Sequence, residues 1–171
     1  MSSQVQPHGA AELRPRFVEP AGDRLRLEQE AQALRSIVVS SAAAGNAVML
    51  AAGYFTPLLG FMSRLDALAV GRSMRTTSGL FWPTPVLNLV QEAPGVRAGD
   101  RIALRDPNVE STPVLAVQDV ESVDRFSADE LEELAAQVFR TTDRKHPDVA
   151  EFLSQGRVAI AGPIKVLNYS Y

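Results

Sequence analysis

Apolar and polar positions along the chain follow two periods. Over 127–139, SADELEELAAQVF, the residues Leu131, Leu134, Ala135 and Val138 recur at helical spacing. Ser127 stands just before the run and Glu130 three residues on, the pattern of a capping box. Asp129 and Glu130 in the first turn suit the helix dipole, each by about 0.3–1 kcal/mol. The spacing predicts a second helix from Ser63, with Asp66 three residues later and Leu65, Leu68 and Ala69 recurring behind it. A third is expected over 41–53, capped by Ser41 and ended by Gly53 in the left-handed conformation, although Gly45 weakens its interior. A fourth is expected over 147–155. Pro147 suits its first position, Val149, Phe152 and Leu153 give it an apolar face, and Gly156 ends it.

The other period is that of strands. SIVVS at 36–40 is β-branched, and RIALRD at 101–106 alternates. A longer strand region is expected over 112–124. GLFWPTPVLNLV, from 79, reads as a strand that Pro83 and Pro85 confine to a sheet edge or a bulge. RVAIAG and PIKVLN close the chain as two strands around Gly162-Pro163. Residues 54–62 form an apolar loop, while 93–100 and Asp106-Pro107-Asn108 are turn material. Residues 23–35 mix charge with Leu25, Leu27 and Leu34 and predict no element. Residues 1–16 read as an extended arm, ahead of a single domain over 17–171. Helices inserted among short strands, with turns about ten residues apart, make the expected class α+β with a small barrel.

Composition narrows the chemistry. The 171 residues are enough to bury roughly 70% of the unfolded surface without staples. Cysteine is absent, which excludes disulfides, thiolate zinc sites and a cysteine nucleophile. No apolar run reaches the roughly 18 residues of a membrane span, and the first residues lack a secretory pattern. The expectation is a cytoplasmic protein with no membrane partner. Net charge is −3 and the basic residues are scattered, so nucleic acid is not the expected partner.

No phosphate loop or G-x-G-x-x-G occurs. With only two histidines, His8 and His146, no paired-histidine metal motif can be built, and no metal or cofactor is expected. Neither is a serine-hydrolase elbow present. The acidic run from Asp119 to Glu133 does not match a calcium loop and reads as solvated surface. Trp82 reads as core packing rather than a stacking platform.

The densest group of charged side chains is RTTDRKHPDV, 140–149. Pro147 holds the His146 backbone out of the helical region, where its side chain can bond free amides of the following helix. The leading expectation is a structural turn. The alternative is anion binding by Arg144, Lys145 and His146 at a helix start.

Several segments resemble ATP sulfurylases (sulfate adenylyltransferases). GYFTPLLGFM is similar to that family's G-x-F-[ST]-P-L-x-G-F-M. MRTTSGLFWPTPV resembles its M-R-L and G-x-L-W-P-I-P-I segment, and GDRIALRDP its G-x-x-I-A-L-x-D. VFRTTDRKHPDV resembles V-[FY]-x-T-x-D-x-x-H-P-G-V, and PHGAAEL the opening P-H-G-G-x-L. The residues that carry these matches are Pro7, His8, Gly9, Gly53, Phe55, Pro57, Gly60, Phe61, Met62, Trp82, Pro83, Asp143, His146 and Pro147. Asp148, Ala10, Thr84 and Val86 depart from the pattern.

The motifs run in family order over nearly the whole chain and belong to the family's N-terminal PUA-like domain. The resemblance therefore implies a PUA-like pseudo-barrel and a sulfate-activation context. The family's Q-x-R-N-P, H-x-G-H and G-R-D segments lie in its catalytic domain and do not occur here. Joining sulfate to the α-phosphate of ATP needs convergent Arg, His and backbone donors. The resemblance places those outside this chain, so no catalytic residue is expected within it. The functions it implies are a non-catalytic regulatory or assembly module, or a subunit or fragment whose catalytic domain lies elsewhere. An RNA-binding PUA module is a third reading, and small-molecule binding unrelated to sulfur is the remainder. A protein partner or self-association would use the 54–62 loop together with Tyr169 and Tyr171.

Overall fold

The computed structural model describes residues 5–168; Tyr169 and Tyr171 lie outside the described residues. Five helices and seven strands are described, an α+β architecture. The chain clusters into two compact units.

Among the described residues, the first unit comprises 5–60, 101–119 and 163–168. It holds α1 (Ala21–Ala33), α2 (Ser41–Ala51), β1 (Arg35–Val38), β4 (Arg101–Arg105) and β5 (Val114–Asp119). It also holds the second half of β7 (Val158–Val166). β1 runs parallel to β4, while β4–β5 and β5–β7 are antiparallel. The register puts Arg101 opposite Asp119, Ala103 opposite Val117, and Val117 opposite Lys165. Directly opposed residues share a face, as do alternate residues of one strand. Leu27 and Ala31 of α1 pack with Ala103, Val114, Val117 and Leu167 in one buried cluster.

Helix α1 occupies the segment for which the sequence predicts nothing. Only Leu27 and Ala31 are buried on it, one turn apart, and Leu25 is exposed, so its apolar stripe is too narrow to read. In α2 the cap is Ser40 rather than Ser41: the Ser40 hydroxyl accepts from the Ala43 amide at 3.1 Å. The Ser41 hydroxyl instead donates to Asn108 Oδ1 at 2.7 Å. Past α2, Gly53 takes a φ of 80°.

The second unit comprises 61–100 and 120–162. It holds α3 (Arg64–Ser73), β3 (Leu89–Val90), β6 (Ser122–Arg125), α4 (Ala128–Phe139), α5 (Pro147–Ser154) and the first half of β7. The two-residue β2 (Gly60–Phe61) lies at the boundary. β3 and β6 both pair antiparallel with the first half of β7. Leu131, Leu134, Ala135, Ala67, Val149, Phe126 and Ile160 are buried.

Three strand expectations change. From 79 the chain gives only the two residues of β3 as ladder, because Pro83 and Pro85 carry no amide hydrogen to donate. The 112–124 region splits into β5 and β6. The two closing strands are one: β7 runs through Gly162, whose φ of 134° is a conformation glycine adopts cheaply.

The caps read from the sequence at Ser63 and Ser127 are present. Ser63 accepts from the Asp66 amide at 3.1 Å, but the Asp66 carboxylate turns to Thr77, accepting from its amide at 2.8 Å. The box at α4 is complete: Ser127 Oγ accepts from Glu130 N at 3.1 Å, and Glu130 Oε2 accepts from Ser127 N at 2.9 Å. Arg64 adds a two-pronged ion pair to the Glu130 carboxylate. This pair and the Ser127 amide hold the Glu130 carboxyl below its ordinary value.

This packing has two testable consequences. Gly156 has φ 115°, and a Cβ there would sit 2.3 Å from the carbonyl carbon of Val90. Gly156→Ala should lower the unfolding free energy by about 3 kcal/mol in urea titration, from overpacking plus backbone strain. At Glu130 a depressed folded pKa means the unfolded chain takes up the proton first. The stabilisation is therefore full above the unfolded value of 4.5 and fades as pH falls through the folded value. The melting-temperature gap between wild type and Glu130→Gln should be open near neutral pH and close in acid; a gap independent of pH contradicts the assignment.

Candidate functional site

The 140–149 segment joins α4 to α5. Arg140 ends α4 with φ 60°, turning the chain out of the helix. Asp143 organises the turn around itself. Its Oδ1 accepts from the Lys145 amide at 2.9 Å, its amide donates to Thr141 Oγ1 at 3.1 Å, and its carbonyl accepts from the His146 amide at 2.9 Å. His146 occupies the cap position of α5 with φ −70° and ψ 122°, the extended backbone that a following proline imposes. Its side chain makes no capping hydrogen bond, contrary to the expectation from sequence. The imidazole instead stacks at a tilt on Phe139, centroids 6.4 Å apart. Phe152 of α5 meets the same ring edge-on at 5.8 Å. Phe139 is thus the apolar post against which the turn and α5 are folded.

The charged side chains point to separate neighbours. Arg144 Nη2 donates to Glu132 Oε1 at 2.6 Å, with both side chains more than half exposed. His146 Nδ1 lies 4.0 Å from Asp148 Oδ2. Lys145 is exposed. Asp148 in the first turn of α5 places a negative charge at the helix end where an anion would bind. A cavity of about 150 Å³ beneath the turn is lined by Glu132, Ala135, Thr142, Arg144, Val149 and Leu153.

The other family-signature residues are dispersed. Pro7, His8 and Gly9 lie in a stretch without helix or strand, where Ala10 N reaches Pro7 O at 3.4 Å. Gly53, Phe55, Pro57 and Gly60 shape the loop after α2, and Phe61 and Met62 are buried. Trp82 is buried, its amide bonded to Met74 O at 2.9 Å, and Pro83 is exposed. Sequence reasoning missed Thr56. Its buried hydroxyl donates to Gly53 O at 2.7 Å and accepts from Arg14 N at 2.9 Å, tying the N-terminal segment to the loop. Among the described residues no group of three or more His, Asp or Glu is placed to hold a metal ion. No helix is long and apolar enough to cross a membrane, among the described residues.

The arrangement of helices and strands is that of a known domain class. The chain belongs to the PUA-like domain family, whose description matches residues 5–169. Its curated relatives include sulfate adenylyltransferases. That of Alcanivorax borkumensis is 51% identical over 171 residues, which is all of this chain and 43% of the relative. That of Allochromatium vinosum is 54% identical over 167 residues, covering 98% of this chain and 42% of the relative. The chain thus spans about two fifths of their length. Among solved structures it is similar in fold to the hexameric APS kinase from Thiobacillus denitrificans, with a TM-score of 0.68 and 23% identity. That match covers 95% of this chain and 27% of the other.

The turn's energetics give a prediction. An exposed ion pair contributes little, so Arg144→Ala should change the unfolding free energy by less than about 1 kcal/mol. Val149, fully buried beside it, should cost about 2 kcal/mol as Val149→Ala. Chemical denaturation of both variants checks the contrast.

Proposed function

We propose that this chain is a non-catalytic PUA-like module of sulfate activation that works by docking a protein partner in the cytoplasm. The observation that carries this reading is the end-to-end match to two fifths of sulfate adenylyltransferases, within which residues 5–169 are PUA-like. The 140–149 segment supports it, because Asp143 and His146 are engaged in folding the turn and Arg144 is paired with Glu132. The partner surface is the loop after α2: Tyr54 is 73% exposed and Leu59 41%, with Leu13 at 62% in the same unit. The net charge of −3 disfavours RNA as the partner.

A second reading, a subunit or part of a sulfate adenylyltransferase, is favoured by the identity of 51% with the Alcanivorax enzyme. One experiment separates the two. The portion of that relative not matched by this chain is produced separately, mixed with this chain, and followed by size-exclusion light scattering and sulfate-dependent pyrophosphate release. The proposal expects a mixed complex that Tyr54→Ala and Leu59→Asp weaken. Turnover that appears only on mixing assigns the chain as a catalytic subunit, whereas a complex with unchanged turnover assigns an assembly role. A chain that remains monomeric and unassociated overturns both.

A further inference from the structure

The first unit contains a cleft of about 430 Å³ that the docking reading does not use. Its floor is set by strand register. Ala103 and Val117 face α1 and are buried with Leu27 and Ala31. Arg101 and Asp119 continue the same face along β4 and β5, and Lys165 stands opposite Val117 on β7. Helix α1 covers the apolar part of this face and leaves the charged part open. The side wall is residues 15–19, which run beside the end of β7: Val166 N donates to Arg16 O at 2.8 Å and Val18 N to Val166 O at 2.9 Å.

The charges in this cleft are unevenly matched. Arg26 is paired with Asp23, and Arg101 donates to both Glu30 and Asp119 at 2.7 Å. Those pairs engage two of the three acidic side chains in the lining, leaving Glu19. Arg16 and Lys165 are the two remaining cations. Arg16 Nε donates to Ile164 O at 2.9 Å, which fixes the guanidinium plane. Among the described residues its two Nη nitrogens have no hydrogen-bond or ion-pair partner, and neither has the Lys165 ammonium. Arg16 is half-buried, and that burial pushes its pKa down, with Asp119 only partly offsetting it. A cation whose lost hydration is only partly offset by a counter-charge is stabilised by an incoming anion. A guanidinium held by Nε presents its Nη edge as a fork suited to two oxygens of one group.

We propose that this cleft binds a phosphate-type or sulfate-type oxyanion, with Arg16 gripping two oxygens and Lys165 supplying the second positive charge. Phe17, Val18 and Leu27 line the cleft beside it, and its volume lies within the roughly 300–1,000 Å³ of small-molecule sites, so the oxyanion can be one end of a larger ligand. The proposal concerns a different surface from the loop after α2, so either can fail without the other.

Calorimetric titration of the whole chain tests it. The probes are inorganic phosphate, inorganic sulfate and a nucleoside monophosphate, each against chloride at matched ionic strength. The expected result is saturable binding, weakened about tenfold or more by Arg16→Gln, severalfold by Lys165→Glu, and unchanged by Arg144→Ala. Lys165 is exposed, so its variant remains informative if Arg16→Gln fails to fold. Tighter binding of the nucleotide than of both free ions identifies an oxyanion carried on a larger ligand; equal binding identifies the free ion. No saturable binding beyond the chloride control overturns the proposal. So does binding that both cleft variants leave intact, or binding lost with Arg144→Ala.

Discussion

Gly162 and Pro163 sit inside nine residues that bond on almost every side. Up to Gly162, β7 pairs with β3 and β6; from Pro163 on, it pairs with β5 and flanks the 16–18 segment. Ile160 N reaches Asn88 O at 3.0 Å, and Ile164 N reaches Leu59 O at 2.9 Å. Buried backbone groups must find partners, and here one strand supplies them for segments scattered from residue 16 to residue 125. The glycine conformation at 162 lets β7 run unbroken through that point. The turn that a Gly-Pro pair signals in isolation is overridden by ladder bonds on both sides.

The features legible in the sequence were local. The capping box at Ser127 and Glu130 is a three-residue signal, and its bonds form as read. The same holds for the Ser63 cap, for Pro147 at the start of α5 and for the strand of RIALR. Non-local features were harder. α1 buries one leucine and one alanine, and its charged side chains masked the helix. The segment from 79 looked like a strand by composition, yet with two prolines in it only its last two residues form a ladder.

The candidate site divides in the same way. The 140–149 segment was recognisable as a special turn because Asp143, His146 and Pro147 act on immediate neighbours. Its anchor on Phe139 was not, because the side-chain direction of His146 depends on packing. The cleft of Arg16 and Lys165 was invisible in the sequence, since its residues are brought together by strand pairing across almost the whole chain. The family resemblance added what periodicity lacked, a domain class, and the match to PUA-like domains bears it out. The two proposed roles rest on separate surfaces: an apolar loop after α2 for a partner, and a cationic cleft beside α1 for an oxyanion.

The proposed function requires that this chain carry no sulfate-activating chemistry of its own. The most direct measurement is pyrophosphate release by the purified chain alone, supplied with ATP, magnesium and sulfate. The account predicts release indistinguishable from buffer. Sulfate-dependent release that persists through purification and disappears in Arg144→Ala or His146→Ala would contradict it, and would make the turn between α4 and α5 a catalytic site.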